Sequence, residues 1–595
     1  MARFLPSEET RRKAKLLVRR RKRSAQEIGQ QADGQIEKLL VRRFERLVFV
    51  RRFVLLWTGL FVLLIFSTII QYRGLGRYYQ TPQPATGGVF SEGLVGTFTN
   101  ASPIYATGTA NQAVSRLVFS GLFNYDRTGQ LVGDLARTVK IDQSEKNYIV
   151  SLKPGILWHD GKPLTADDIV FTYRTIQNGS AQSPLFSSWQ DIVVSKIDEY
   201  TINFRLPNPL AAFPHSLTNG IIPEHILNQI EPRQMRSAQF NTAPIGTGPF
   251  KWRFVQVDGS PATGLEQHIT LAPFDQYFQG VPKMDGFSLT TFTDENRLLD
   301  AYYDKKINAI SGLNDVPEDI VTGVSDEVYS TPLTSAVMAF FNNSRPGLND
   351  VNVRKALVHA VDTKELVGQL QNVAGLVLSP LLSFQLGYDG GYAQARYDPA
   401  VANQLLDAAG YIKGPDGMRS KAGLPLEFSL VAQNTGNYTT TATYLQKKWA
   451  EIGVKTIVSY SRASDIQSDI IATHNYDILV HGISIGTDPD VYAYWDSTQA
   501  SITSLGRLNL SEYRSKTADQ ALESARTRSD PAIRAVKYQS FVSTWVQEAP
   551  ALALYQPTYV YVSRGPIFGY QKRVMIVPTD RYSNVQDWMI RQVRK

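Results

Sequence analysis

The chain contains no cysteine. That excludes disulfides, thiolate metal sites and cysteine nucleophiles, and it removes the lipidated cysteine by which many bacterial surface proteins are tethered. Histidine is scarce, with seven in 595 residues: His159, His215, His225, His268, His359, His474 and His481. None forms H-x-x-x-H or H-E-x-x-H, so no dedicated metal site is expected. No Walker loop is present, and the basic residues of the main body do not cluster with aromatics. Nucleotide cofactors and nucleic-acid partners are therefore not expected.

Net charge is nearly absent from the body of the chain. Residues 1–52 hold 16 Lys/Arg against 6 Asp/Glu, leaving 46 against 48 for the rest. The formal charge of +8 thus belongs to the N-terminus alone. The one long uncharged run follows it directly: "FVLLWTGLFVLLIFSTII", residues 53–70. A run of this length spans a bilayer as a helix. Arg51 and Arg52 flank its start, and Trp57, Tyr72, Tyr78 and Tyr79 suit the interfaces. The positive excess places residues 1–52 in the cytoplasm and the body outside. A cleaved signal peptide is the rival reading, but its charged region would be unusually long and no A-x-A site follows. Arg51-Arg52 matches a twin-arginine signal only in those two residues. A retained anchor is the reading adopted. Ala32, Ile36, Leu40, Phe44 and Leu47 recur at helical spacing among arginines, which fits either an amphipathic helix on the inner leaflet or a solvated basic flank that sets topology. "YYQTPQPATGG" then reads as a tether.

From residue 88 onward strands and helices alternate, without a repeat period, and the class is α/β. "YIVSLKPG" is a strand ending in a Pro154-Gly155 turn, and "YTINFRL" alternates Ile202, Phe204 and Leu206 as a half-buried strand. "YDPAVANQLLDAAGY" is a helix capped by Asp398, with Pro399 in its first turn and Gly410 past its end. "WHDGKPLTADDIVFTYRTI" gathers His159, Asp160, Asp167 and Asp168, yet it reads as a turn followed by a Thr165/Asp168 capping box and a helix with Ile169, Tyr173 and Ile176 on one face. "GISIG", residues 482–486, matches the G-x-S-x-G elbow of serine hydrolases. A hydrolase triad of that type needs a histidine after the serine, and the last one, His481, precedes it. The elbow also needs a helix directly after it, whereas "GTDPD" is a turn. Ser484 is not read as a nucleophile, and no enzyme is expected.

In chain order, "GGVFSEGLVG", "LVFSGLFNYDRTGQLVGDLA", "YIVSLKPGILWHDGKPLTADDIVFTYRTI", "PIGTGPFKW", "FNNSRPGLNDVNVRKALVHAVD" and "YDPAVANQLLDAAGYIKGPDGMR" resemble the solute-binding proteins of peptide-type ABC transporters. The resemblance runs from about residue 87 to the C-terminus. It implies a bilobed periplasmic-binding-protein-like α/β fold of three sub-domains, here preceded by one transmembrane helix. The expected division is a basic tail (1–52), an anchor (53–72), a tether (73–87), lobe I in three parts (88–125, 241–330 and 561–595), an inserted sub-domain II (126–240) and lobe III (331–560). Two crossing segments would form a hinge that closes on the ligand.

The resemblance further implies an extended ligand paired through its backbone to a protein strand. That strand falls at "HGISIG", so Gly482, Ile483 and Ser484 are expected to touch ligand; the alternative is an ordinary buried strand. Ser120 and Gly121, in "VFSGL", are expected on the facing lobe. Peptide receptors often hold the ligand amine with an aspartate just after this strand. Here that place falls near Gly486-Thr487, and Asp488 and Asp490 are offset, serving either ligand binding or the turn. A peptide, an oligosaccharide or a metal chelate all remain open as solute. The expected partners are an ABC permease and the membrane, with a monomeric receptor on the outer face of the cell membrane. A membrane-anchored sensor, chaperone or scaffold is the alternative role, mildly favoured by the length of the tail.

Overall fold

The computed structural model describes residues 8–36, 50–79, 82–260, 264–313, 316–323, 325–462, 465–503 and 508–594. The chain divides into two compact units, Met1–Gln83 with Gln592–Lys595, and Pro84–Arg591. In the first, helix α1 covers Glu8–Ile36 and α2 covers Arg51–Tyr79. Within α2, Arg51–Arg73 is the one segment among the described residues long and apolar enough to cross a membrane, and none of it is buried. Ala32 and Ile36 belong to α1, whereas Leu40, Phe44 and Leu47 lie outside the described residues, as do tether residues 80–81.

The second unit is organised by one twelve-stranded mixed sheet. Its strands are numbered in chain order: β1 Val89–Val95, β2 Phe250–Ser260, β3 Gly264–Pro273, β4 Gly286–Phe292, β5 Ala309–Ser311, β6 Asp326–Pro332, β7 Ser335–Phe341, β8 Val373–Leu376, β9 Glu427–Gln433, β10 Lys455–Ser461, β11 Ile478–Ser484 and β12 Ala551–Arg564. Across the sheet the order is β10-β9-β11-β7-β12-β5-β1-β4-β3-β2, with β6 and β8 also pairing with β12. The sequences of β7 (SAVMAFF) and β12 (ALALYQPTYVYVSR) are nearly continuous apolar runs. Strands covered on both faces have this pattern, and most of their residues are buried.

β12 divides the unit into two halves. Its residues 551–557 pair with β7 and β8, and residues 558–564 with β5 and β6. One apolar core gathers Phe90, Leu117, Trp158, Ile202, Phe287 and Trp588, from the two ends of the chain. Two others lie on opposite sides of β7, one with Phe341, Trp449 and Leu552, the other with Phe340, Trp495 and Trp545. The first half therefore comprises residues before Leu333 and after Pro557, and the second half the residues between.

The local elements read from sequence form as expected. Ile202 and Phe204 are buried in the strand Thr201–Arg205, which pairs with Asn147–Leu152 in a four-stranded sheet. Helix α3, Ala166–Gln177, begins with the Thr165/Asp168 capping box and buries Ile169, Tyr173 and Ile176. Asp398 accepts from the amides of Ala400 and Val401, each at 3.0 Å.

A charged cluster fixes the far end of β12 in the first half. Glu92 and Arg581 are both fully buried and hydrogen-bonded to each other. Tyr561, on β12, donates to Glu92 Oε2 at 2.8 Å, and Tyr582 donates to Oε1 at 2.7 Å. The Arg581 guanidinium also lies against the rings of Tyr559, Tyr561 and Tyr582. Burial alone would lower the arginine's pKa, but Glu92 overrides it and holds it well above the ordinary value.

Candidate functional site

β11 is the strand on which the sequence places the ligand. β7 pairs with it along its whole length, from Ser335 opposite Ser484 to Phe341 opposite Ile478. On the other side β9 pairs only with Ile478, Leu479 and Val480 and then diverges. Among the described residues, the edge from His481 to Ser484 has no strand partner on that side. Successive residues of a strand point their backbone groups to alternate edges, so 482 and 484 share one. Two tyrosines lie against it: the Tyr438 hydroxyl is hydrogen-bonded to the backbone of Gly482, and Tyr494 donates to Ser484 O at 2.7 Å. A Cβ at Gly482 would stand 2.8 Å from the Tyr438 oxygen, so this glycine makes room for a tyrosine of the protein itself. Ile483 is 4% exposed, its side chain in the core, while Ser484 is exposed. The strand stops there. Ile485 and Gly486 both donate to Thr334 O, and Gly486 adopts a φ of 78°.

Beyond Gly486 the chain enters the seam between the halves. Gly129, with φ 83°, comes so close to Thr487 that a Cβ would sit 2.9 Å from its methyl group. Asp488 faces His215 of the first half, Oδ2 to Nε2 at 3.9 Å, and His215 Nδ1 is 2.9 Å from the Tyr125 hydroxyl. Two more contacts cross the seam: Ser529 donates to Glu145 through its amide and hydroxyl, and Ala211 N donates to Arg526 O at 2.9 Å. Between them opens a cavity of about 580 Å³, with Asp191 and Pro209 on one wall and Tyr492, Glu523 and Arg526 on the other.

Both carboxylates of the turn are already paired. Asp488 receives a two-pronged bond from Arg534, at 2.7 and 2.9 Å. Asp490 lies 3.3 Å from Arg526, whose guanidinium stacks 4.1 Å over Tyr492. Burial raises the Asp490 pKa, and Arg526 partly offsets that. Burial would lower Arg534, but Asp488 reverses this and holds it above its ordinary range. Asp488 also accepts from the amide of Asp490 at 3.0 Å, so it shapes the turn as well.

Arg534 was not singled out by the sequence reading, although a signal existed. It opens a row with Tyr538, Phe541, Val542 and Trp545, all buried on helix α4, here Pro531–Glu548. An arginine in phase with a buried helical face needs a partner inside the protein. Ser120 and Gly121, by contrast, are engaged within the first half. Ser120 is 2% exposed and accepts from Ile221 N, and Gly121 bridges Gly220 and accepts from Leu135 N. Among the described residues no hydrogen bond joins either to residues 482–490. No group of three or more potential metal ligands occurs among the described residues.

His481 lies on β11 just past its last pair with β9. Its Nδ1 is buried without a hydrogen-bond partner, and burial lowers its pKa from 6.5 to about 4. The native protein therefore keeps it neutral where the unfolded chain takes up a proton, and stability is lost as pH falls below 6.5. Relative to His481→Gln, the wild-type protein should lose about 2 kcal/mol between pH 7 and pH 5. Urea midpoints at the two pH values measure this, and parallel pH dependences would refute it.

Residues 130–504 match the model of the bacterial extracellular solute-binding proteins, family 5 Middle. The chain belongs to this family. This family 5 protein is 26% identical over 525 residues to the oligopeptide-binding protein AppA of Bacillus subtilis, a match covering 85% of this chain and 92% of the relative. It is 24% identical over 495 residues to the dipeptide-binding protein of Escherichia coli, covering 78% and 89%. Among solved structures it is similar to NikZ from Campylobacter jejuni in complex with Ni(L-His), at TM-score 0.72 and 25% identity over 84% of this chain and 99% of that one. It is also similar to B. subtilis AppA in complex with a nonapeptide, at TM-score 0.68 and 24% identity over 86% and 100%. The resemblance to peptide-type solute-binding proteins and the α/β binding-protein fold drawn from the sequence are both borne out.

Proposed function

We propose that this family 5 protein is a membrane-anchored receptor that encloses an oligopeptide-like solute between two lobes and passes it to an ABC permease. The edge of β11 that lacks a strand partner, just before the seam, carries the reading, because an extended ligand that displaces the Tyr438 and Tyr494 hydroxyls can add to it by main-chain hydrogen bonds. The two relatives named for oligopeptide and dipeptide binding support it. In this reading the lobes follow the division given above, with 331–560 closing on the rest, the receptor acts as a monomer, and α2 holds the body outside the cell. It needs no cofactor and performs no hydrolysis.

A second reading, a non-peptide solute, is favoured by one observation. Asp488 and Asp490 are each held by an arginine, so neither offers a free carboxylate to an α-amine. NikZ, a structural neighbour, holds a nickel–histidine complex.

Native mass spectrometry of the full chain, purified in mild detergent, should reveal a set of co-purified peptides. A single non-peptide solute would replace the peptide reading. Protease added to intact cells should remove the body and leave a fragment containing residues 1–70; a mature chain starting between residues 67 and 88 would overturn the anchor. Ser484→Ala should change stability by no more than about 0.5 kcal/mol. Loss of ester or peptide turnover in that variant, with binding intact, would overturn the receptor reading.

A further inference from the structure

We infer that α1 is a membrane-surface helix that lies on anionic phospholipid headgroups beside the anchor. The inference rests on α2 being that anchor. Residues 11–23 hold nine Lys/Arg and no acidic residue. Along α1, Ala14, Val18, Arg21, Ala25, Ile28, Ala32 and Ile36 recur at steps of three and four, with Leu17 beside the row. By spacing, this row is small or apolar apart from Arg21, and Arg12, Lys13, Lys15, Arg19, Arg20, Lys22 and Arg23 fall off it. Leu16, Leu17 and Val18 are 60%, 61% and 63% exposed, and Arg19, Arg20, Lys22 and Arg23 are exposed with them.

A basic helix with a thin apolar stripe and low overall hydrophobicity does not span a bilayer. It lies in the interface plane, its apolar residues among the acyl-chain ends and its cations among the headgroups. Each Lys or Arg near an anionic leaflet adds attraction that salt screens. Only residues 37–50 separate α1 from α2, so an anchored chain presents α1 to lipid at high effective concentration. The helix proposed here begins well before the row of residues 32–47 noted in the sequence, and it holds nine of the sixteen Lys/Arg of residues 1–52. Setting topology does not require so many cations.

The absence of cysteine makes the test direct. Leu17→Cys, labelled with a nitroxide, would be reconstituted as the full chain into phosphatidylcholine vesicles with or without 30% phosphatidylglycerol in both leaflets. With both leaflets anionic, the outcome does not depend on which way the chain inserts. The label should become accessible to oxygen and shielded from a water-soluble relaxant only in the anionic vesicles, and 1 M NaCl or replacement of Arg19, Arg20, Arg21, Lys22 and Arg23 by Gln should reverse this. Equal water exposure in both vesicle types would overturn the proposal. So would shielding that appears only when RNA is added. Carbonate extraction of the same vesicles reports separately on α2: release of the protein would mean that the anchor itself has failed.

Discussion

Arg581→Met is expected to destabilise the protein by about 3–5 kcal/mol, among the largest effects available to one substitution. Methionine fills much of the space, so packing loss is the smaller part. The larger part is Glu92, left as a carboxylate at 0% exposure without its cation. The hydroxyls of Tyr561 and Tyr582 still donate to it, but they do not neutralise it. Three aromatic rings also lose the guanidinium they face. Arg581→Lys should recover only part of the loss, since an ammonium cannot lie flat between rings. Combining Arg581→Met with Glu92→Gln should be milder than Arg581→Met alone, because no buried charge remains. Urea unfolding of the four variants measures the coupling; a loss below about 1 kcal/mol for Arg581→Met would show that the pair is not what holds this end of β12.

Arg534→Met should be the second most damaging change, and it acts on the seam. It leaves Asp488, whose side chain is 13% exposed, with only a backbone amide and a distant His215. A loss of about 3 kcal/mol is expected, near the lower end for a broken buried pair because some solvent reaches the site. Solute affinity should fall as well, since Asp488 shapes the turn that meets Gly129. Asp488→Asn in the same chain should restore part of both. The intact pair also makes a statement about the ligand. Acetylating the N-terminus of a bound peptide should weaken binding less than tenfold, because the turn carboxylates are committed to arginines. Calorimetry with matched free and blocked peptides decides this. A loss of a hundredfold or more would mean that Asp488 leaves Arg534 to take the amine.

These particulars show what a single sequence makes legible. Thr165 with Asp168, Asp398 with Pro399, and the alternation of Ile202, Phe204 and Leu206 lie within a few residues of their structural consequence, and each was readable. The site is another matter. Asp488 looked available because its partner lies 46 residues further on, and only helical phase marks Arg534 as inward-facing. Gly482 looked like space for a ligand because Tyr438, which occupies that space, belongs to a distant helix. Ser120 and Gly121 came from family likeness, and the structure gives them bonds to Ile221, Gly220 and Leu135 that no local pattern announces.

The path of the chain through β12 bears on how this protein is made. Phe90 near the start packs against Trp588 near the end, with ring centres 5.6 Å apart, and Phe287 meets Tyr582 at the same distance. Residues 333–557 intervene as a half with cores of their own. During synthesis that half can complete its contacts first, while the earlier strands wait for the last segment to emerge. The core around Phe90 and Phe287 therefore lacks two of its aromatic partners until Tyr582 and Trp588 are released, so the half that is begun first is the one completed last.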